Sequence, residues 1–350
     1  MDSTRVAMLV PAPLELVAGG HIYDHRIAAG LRAAGCQVTM AAVAGRHPLP
    51  DATAEASAQA IWAALPGDAI PVIDGSALPA FAPLGEALAR RAVGLIHHPV
   101  SMETGLSTED AGFLGAIERR ILPMLGRIVV TSPETASALT AAFGVEAARV
   151  SVVVPGTEAA PRSVGSGGPG CAILSIGTLL PRKGHEVLLR ALARLFDLDW
   201  HLTIAGEARD RRYAAMLRAL VEELGLGRRV GFVGVMLGAP LEALWLGADV
   251  FALATQYEGY GMAIAEALKR GLPVAVTASA NAGGAAGALV TPEAGAVCEV
   301  GDVAQLSKAL RHLIFDVALR RDMAAAAWAV GQGLPDWATQ ARMFAGVLRG

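Results

Sequence analysis

Short apolar runs alternate with longer alanine- and leucine-rich stretches along most of this chain, and the pattern occurs twice. In the first half the runs fall at 6–10, 38–43, 70–73, 93–96, 128–130 and 150–154, with helical patterning at 22–34 and 54–64. In the second half they fall at 173–176, 201–205, 230–233, 250–253 and 274–277, separated by helical stretches near 184–196, 210–225, 240–247 and 261–271. Parallel strands need crossover connections, usually helices, and are buried on both faces, so they read as continuous apolar runs. The rhythm predicts an α/β fold of two doubly wound, Rossmann-like domains. Residues 155–170 are rich in glycine and proline and read as an exposed linker, dividing a first domain at 1–160 from a second at 161–334. The tail 336–348 reads as a helix with Trp337, Ala341, Phe344, Ala345 and Leu348 on one face, which needs a partner surface.

With 350 residues, 53% apolar and 17% charged, the chain is long and apolar enough for two packed cores. Its 29 basic and 32 acidic side chains leave a net charge of -3, without the basic clusters of a nucleic-acid footprint. Residues 1–165 hold 11 basic and 15 acidic side chains, so the first half has no general attraction to anionic lipid. Cys36, Cys171 and Cys298 lack both CxxC and Cys/His spacing, which points away from disulfides and zinc and toward a reducing compartment. The apolar run that ends at Pro11 is too short for a signal-peptide core or for the roughly 20 residues of a membrane span. A cytoplasmic protein without integral membrane association is expected, and nothing sets its oligomeric state.

In open parallel sheets ligands bind beyond the carboxyl ends of the strands. Four such segments carry chemistry. Gly19-Gly20 precede a helix expected from His21, where bare backbone amides can approach an anionic or hydroxyl-rich ligand; a flexible turn is the plainer alternative. The spacing is not GxGxxG, which disfavours NAD. Gly177 to His185 contains Arg182-Lys183 at the start of a helix, where a guanidinium fork, an ammonium and the helix dipole suit a diphosphate; Lys183 is one of three lysines in the chain. After 250–253, Glu258 lies in a loop with Gly259, Tyr260, Gly261 and Met262, and Glu266 lies about two turns into the next helix. Two carboxylates around an amide-rich turn suit vicinal hydroxyls. Last, Ile96-His97-His98-Pro99 precedes Glu103; adjacent side chains on extended backbone point apart, so one histidine faces ligand and the other is a structural partner. No metal site is expected.

Taken in order, Gly19-Gly20, the 132–135 and 152–156 segments, Gly177 to Gly184, Gly206-Glu207, Phe232-Val233-Gly234 and the Glu258/Glu266 pair resemble the retaining glycosyltransferases of family 4, which have the GT-B fold. The resemblance spans nearly the whole chain and is most specific in the second half. It implies two domains facing a cleft that closes over the donor, with the C-terminal helix 335–350 returning to the first domain. The first domain would bind the acceptor and the second a nucleotide-diphosphate sugar, as co-substrate and without cofactor or metal. Arg182 and Lys183 would neutralise the diphosphate, Glu266 would bind the ribose, and Glu258 with amides near Tyr260 to Met262 would grip the sugar. Val233 and Gly234 would line the base pocket, Gly19, Gly20 and Gly177 would bind the donor, with Gly20 near the diphosphate or acceptor, and His97 or His98 would line the sugar pocket. The expected reaction moves a hexose to a hydroxyl of a small or soluble acceptor. The alternatives are a nucleotide-sugar epimerase on the same fold and a non-catalytic sugar-nucleotide binding subunit. The stretch 277–289 departs from the family in being rich in Gly and Ala and free of charge until its end.

Overall fold

The computed structural model describes residues 4–14, 19–103, 105–278 and 285–350. The chain divides into two compact units, Met1–Gly156 with Pro335–Gly350, and Thr157–Leu334. The first is built on β1 (Arg5–Pro11), β2 (Gln37–Val43), β3 (Ile70–Asp74), β4 (Val93–Ile96), β5 (Arg127–Val130) and β6 (Val150–Val152), all parallel in the order β2-β1-β3-β4-β5-β6. The second is built on β7 (Cys171–Ile176), β8 (Trp200–Ala205), β9 (Val230–Gly234), β10 (Val250–Leu253), β11 (Val274–Thr277) and β12 (Gly295–Cys298), again all parallel, in the order β12-β11-β10-β7-β8-β9. Each order reverses once, at β1/β3 in the first sheet and at β7/β10 in the second. These reversals leave a crevice beyond the strand ends where neighbouring connections diverge.

The apolar strands fold as they do because both faces of each sheet are covered. Along β1, Ala7 and Leu9 join a core with Phe81, Leu122 and Ile128, while Val6 and Met8 join an opposite core with Tyr23, Ile27 and Leu31. Alternate residues thus serve alternate faces. The helix Trp337–Arg349 belongs to the first unit: Ala341, Phe344, Ala345 and Leu348 pack with Ile27 and Leu31 of the helix Gly19–Ala33. Arg127 donates to the carbonyls of Val347 and Leu348 at 3.0 and 2.7 Å, satisfying groups that a helix end leaves unpaired.

Three features differ from the sequence expectation. The units part at Gly156/Thr157, and the glycine-rich stretch after the break is fastened to the second unit. Ser163 Oγ donates to the carbonyls of Leu246 and Ala248 at 2.9 and 2.7 Å, and the Val164 amide donates to Leu246 at 3.0 Å. Composition registers the glycines but not these long-range partners. Gly19 and Gly20 are the first two residues of their helix, not a loop ahead of it. Strand β12 and the helices Val303–Phe315 and Val317–Gln332, which complete the second unit, are absent from the sequence reading. No helix among the described residues is long and apolar enough to cross a membrane.

Candidate functional site

In the second unit the two loops flanking the β7/β10 reversal are bound to each other. The Arg182 carbonyl accepts from the Gln256 amide at 2.7 Å and from Thr255 Oγ1 at 3.1 Å. Gly184, with φ +61, makes the approach possible: a Cβ there would stand 1.8 Å from the Ala254 carbonyl oxygen. This zipper brings Lys183 Nζ onto the carboxylate of Glu258, which also accepts from Thr255 Oγ1 at 3.2 Å. Glu258 is only 9% exposed. Burial alone would raise its pKa, but the charges of Lys183 and Arg182 and the bonds from Lys183 and Thr255 outweigh it and hold the carboxyl below its usual range. Arg182 lies beside the pair, with Nη1 3.5 Å from the Tyr257 carbonyl. Lys183 reaches the pair across Gly177, where a Cβ would touch the lysine methylenes at 3.4 Å.

The other residues singled out in this half end neighbouring elements. Strand β9 finishes at Gly234, whose carbonyl accepts from the Gly206 amide at 2.8 Å, and the Gly177 amide bonds the Ala205 carbonyl at 3.0 Å. Gly234, Gly206 and Gly177 therefore form a row without side chains across three adjacent strand ends. A Cβ on Gly206 would stand 1.9 Å from the Gly177 carbonyl oxygen, so that row is fixed by backbone contact. Val233 is half-buried at its outer end. Gly259 and the buried Tyr260 lead to Gly261, which caps the helix Met262–Lys269, and Glu266 is half-buried within that helix. His185, directly after Gly184, is fully buried with neither ring nitrogen hydrogen-bonded. Burial, reinforced by the Lys183 charge, pushes its pKa down to about 3, so it adds no charge to the crevice. Of the glycine- and alanine-rich stretch 277–289, residues 279–284 lie outside the described residues.

The crevice of the first unit is different in kind. His97 follows β4, Asp74 ends β3, and Asp24 lies one turn after Gly20 in the helix that follows β1. His97 Nε2 is 3.2 Å from Asp24 Oδ1 and 3.3 Å from Asp74 Oδ2. The loop beneath is held from two sides: Thr131 and Thr135 hydroxyls both donate to the His97 carbonyl at 3.2 Å, and the buried Glu118 accepts from the amides of Val100 and Ser101 at 2.7 and 3.1 Å. His98 points to Glu103 instead, with Nε2 2.6 Å from Oε2. The two histidines thus diverge, as extended backbone requires, but each meets carboxylate. Gly20 belongs to the His97 site: a Cβ there would lie 3.0 Å from His97 Cδ2. Among the described residues, nothing lies within 4 Å of a Cβ placed on Gly19, one residue earlier.

Sequence reasoning missed Asp24, Asp74, Glu118 and Thr255. Asp74 was within reach, being the first polar residue after an apolar strand and so placed at a ligand-facing end; Asp24 needed the helix register from Gly20. Asp24, Asp74 and His97 are also the one group among the described residues whose ligand atoms lie close enough, within 4.8 Å, to surround an ion. Their separations are those of hydrogen bonds to Nε2, an arrangement that one proton on that nitrogen would satisfy.

Residues 158–329 match the family model of glycosyl transferases group 1. The D-inositol 3-phosphate glycosyltransferase of Corynebacterium diphtheriae is 27% identical over 242 residues, 63% of this chain and 55% of that protein. The chain spans about half or less of the length of the curated relatives it matches first. Among solved structures, sucrose-phosphate synthase from Thermosynechococcus elongatus superposes with a TM-score of 0.81 at 20% identity, covering 99% of this chain and 98% of that one. Anabaena HepE, solved in complex with UDP and glucose, gives 0.76 at 19%, covering 99% and 100%. These likenesses establish the α/β fold of paired, doubly wound sheets known as GT-B. The match to the group 1 glycosyl transferases lies within the second unit.

Proposed function

We propose that this chain is a retaining glycosyltransferase that moves a hexose from a nucleotide-diphosphate sugar to a hydroxyl of a small acceptor, without a metal. The observation that carries the reading is the placement of Arg182 and Lys183 at the β7/β10 reversal, with Glu258 ion-paired to the lysine. The second unit holds the donor. The glycine row at 177, 206 and 234 leaves room for the nucleotide beside Val233, and Glu266 bonds the ribose. The amides near Gly259 to Met262, with Glu258, hold the sugar.

In the transfer the bond from the anomeric carbon to the β-phosphate oxygen breaks, and the acceptor oxygen bonds the same carbon on the same face. The acceptor proton passes to the departing phosphate oxygen. Negative charge grows on the leaving diphosphate, and Arg182 and Lys183 are fixed beforehand to meet it; preorganised charge of this kind lowers a barrier without reorganisation. The UDP and glucose held by HepE support a UDP-hexose donor, and the relative named for D-inositol 3-phosphate supports a small acceptor. The first unit holds that acceptor beside His97, Gly20 and the N-terminus of the helix Gly19–Ala33.

The test is thermal unfolding against a panel of UDP-, GDP- and ADP-sugars. A true donor at 100 times its dissociation constant adds about 2.7 kcal/mol of stability. The stabilising donor is then assayed for transfer to polyols and sugars, with and without EDTA. Transfer that survives the chelator supports the proposal. Release of free sugar without transfer favours the epimerase-like alternative, binding without turnover favours a binding subunit, and loss in EDTA restored by Mg²⁺ or Mn²⁺ overturns the metal-free mechanism.

A further inference from the structure

We infer that Asp24 and Asp74 are a positioning pair that keeps His97 protonated, so that its Nδ1–H is a fixed hydrogen-bond donor to a hydroxyl oxygen and never a proton acceptor. Two carboxylates converge on one ring nitrogen, at 3.2 and 3.3 Å, and they are only 1% and 4% exposed. Buried acceptors require a donor, so Nε2 carries a proton. A neutral ring would still leave two carboxylates facing each other away from water, whereas an imidazolium compensates one of them.

The rest of the ring's surroundings decide which edge is left for ligand. Gly20 covers the Cδ2/Nε2 side, and the Tyr23 ring meets His97 edge-on at 5.2 Å between centroids. Thr131 and Thr135 fix the His97 carbonyl and so the backbone from which the ring projects, while the two carboxylates hold the ring itself at Nε2. Nδ1 has no partner among the described residues, and 16% of the side chain is exposed. The ring therefore offers one accessible polar atom, beyond the strand ends where ligands bind.

The ionisable groups around the ring agree. His21, Tyr23 and Asp24 lie on the helix Gly19–Ala33, Asp74 ends β3, and His98 with Glu103 follows β4; Thr131, Thr135 and Trp337 complete the surroundings without charge. Burial opposes the His97 charge, but bonds and charges from Asp24 and Asp74 overcome it and raise the pKa to about 10. Asp24, raised to about 6 by burial and then by the Asp74 charge, is the weaker acid, with Oδ2 buried and unbonded. Asp74 is held low despite burial by His97 and by the Ser76 amide at 2.7 Å. With His97 charged and both acids ionised the cluster carries a net single negative charge, which favours a neutral hydroxyl over a phosphate. The identity of the ligand rests on the proposed function; the protonation of the ring does not.

The full chain labelled with 15N-histidine is titrated from pH 5 to 11 by NMR, the His97 ring signals being assigned by their loss in His97→Gln. Both ring nitrogens are expected to keep imidazolium shifts to pH 9. In Asp74→Asn the midpoint should fall by one unit or more, a tenfold or larger change in proton affinity, with a smaller fall in Asp24→Asn. A neutral His97 at pH 7.5 in the unaltered protein overturns the inference, and that titration decides the matter even where a variant fails to fold. An unchanged midpoint in a folded Asp74→Asn overturns it equally. If no donor and acceptor support transfer, the proposed function fails while the titration still stands.

Discussion

The two crevices of this chain sit at equivalent reversals of strand order, yet they carry opposite charge. Beyond β1/β3 two buried acids surround one imidazole; beyond β7/β10 two cations surround one buried acid. The backbone supplies the same thing in both places, diverging loops and a helix N-terminus. The side chains decide what the place can bind, which is why fold alone does not name a reaction. A net-positive crevice suits a leaving diphosphate. A net-acidic one with a single outward donor suits a neutral polyhydroxyl compound and disfavours phosphate.

The sharpest way to break this contrast is to remove one cation. Lys183→Ala should lower turnover by about 100-fold or more while the fold persists, because the lost charge acts chiefly on the transition state. Arg182→Ala should act in the same direction. His97→Gln should raise KM for the acceptor more than it lowers kcat. Steady-state kinetics with each variant checks this, and near-normal kcat in both cation variants would remove the diphosphate assignment.

A smaller effect separates the two crevices mechanically. Gly206→Ala drives a methyl group to 1.9 Å from a backbone oxygen, and backbone in a sheet cannot give way. Gly20→Ala meets the edge of the His97 ring at 3.0 Å, where a side chain can yield by a few tenths of an ångström. Urea unfolding should show Gly206→Ala losing about 1–3 kcal/mol, typical of overpacking, and Gly20→Ala losing less. Equal losses would mean that the first crevice is as rigid as the second.

The fold was legible in the sequence because parallel strands must be apolar on both faces; β4, β10 and β11 begin and end where their apolar runs do. The short strand β12 was not, since Gly295–Cys298 is four residues, mostly small, close after a long glycine- and alanine-rich stretch and does not stand out from it. In the second crevice Arg182, Lys183 and Glu258 could be read from loops next to strands, within a few residues of one another on each loop. Their ion pair could not, since it depends on Gly184 letting one loop touch the other. The His97 cluster was half legible: the histidines stood out, but Asp24 and Asp74 are 73 and 23 positions before His97, and only the sheet order brings them together. Local pattern reveals a side chain's type and its place along a strand; partners contributed by non-adjacent strands require the topology.

The gentlest probe is pH, and the two crevices should differ on the alkaline side. His97 is raised when folded, so its stabilisation is complete below its unfolded pKa near 6.5 and is lost as pH rises toward about 10. Asp24, raised to about 6, has the same sign over a lower range, between its unfolded value near 3.9 and 6. Glu258 and Asp74 are depressed, so their stabilisation is present above the unfolded carboxylate pKa and is lost as pH falls through their folded values. The acid flank is therefore shared by both units; the alkaline decline begins with His97 of the first, and Cys171 and Cys298 of the second, raised by burial, add to it only above their unfolded pKa near 8.5. One proton changes stability by at most about 1.4 kcal/mol per pH unit, so melting temperature should fall by a few degrees between pH 7 and 9. His97→Gln should flatten that decline and leave the acid flank contributed by Glu258. Glu258→Gln should soften the acid flank and leave the alkaline decline intact. A His97→Gln profile that declines from pH 7 to 9 as steeply as the unaltered protein would place the alkaline-sensitive proton elsewhere and erase the electrostatic distinction between the two crevices.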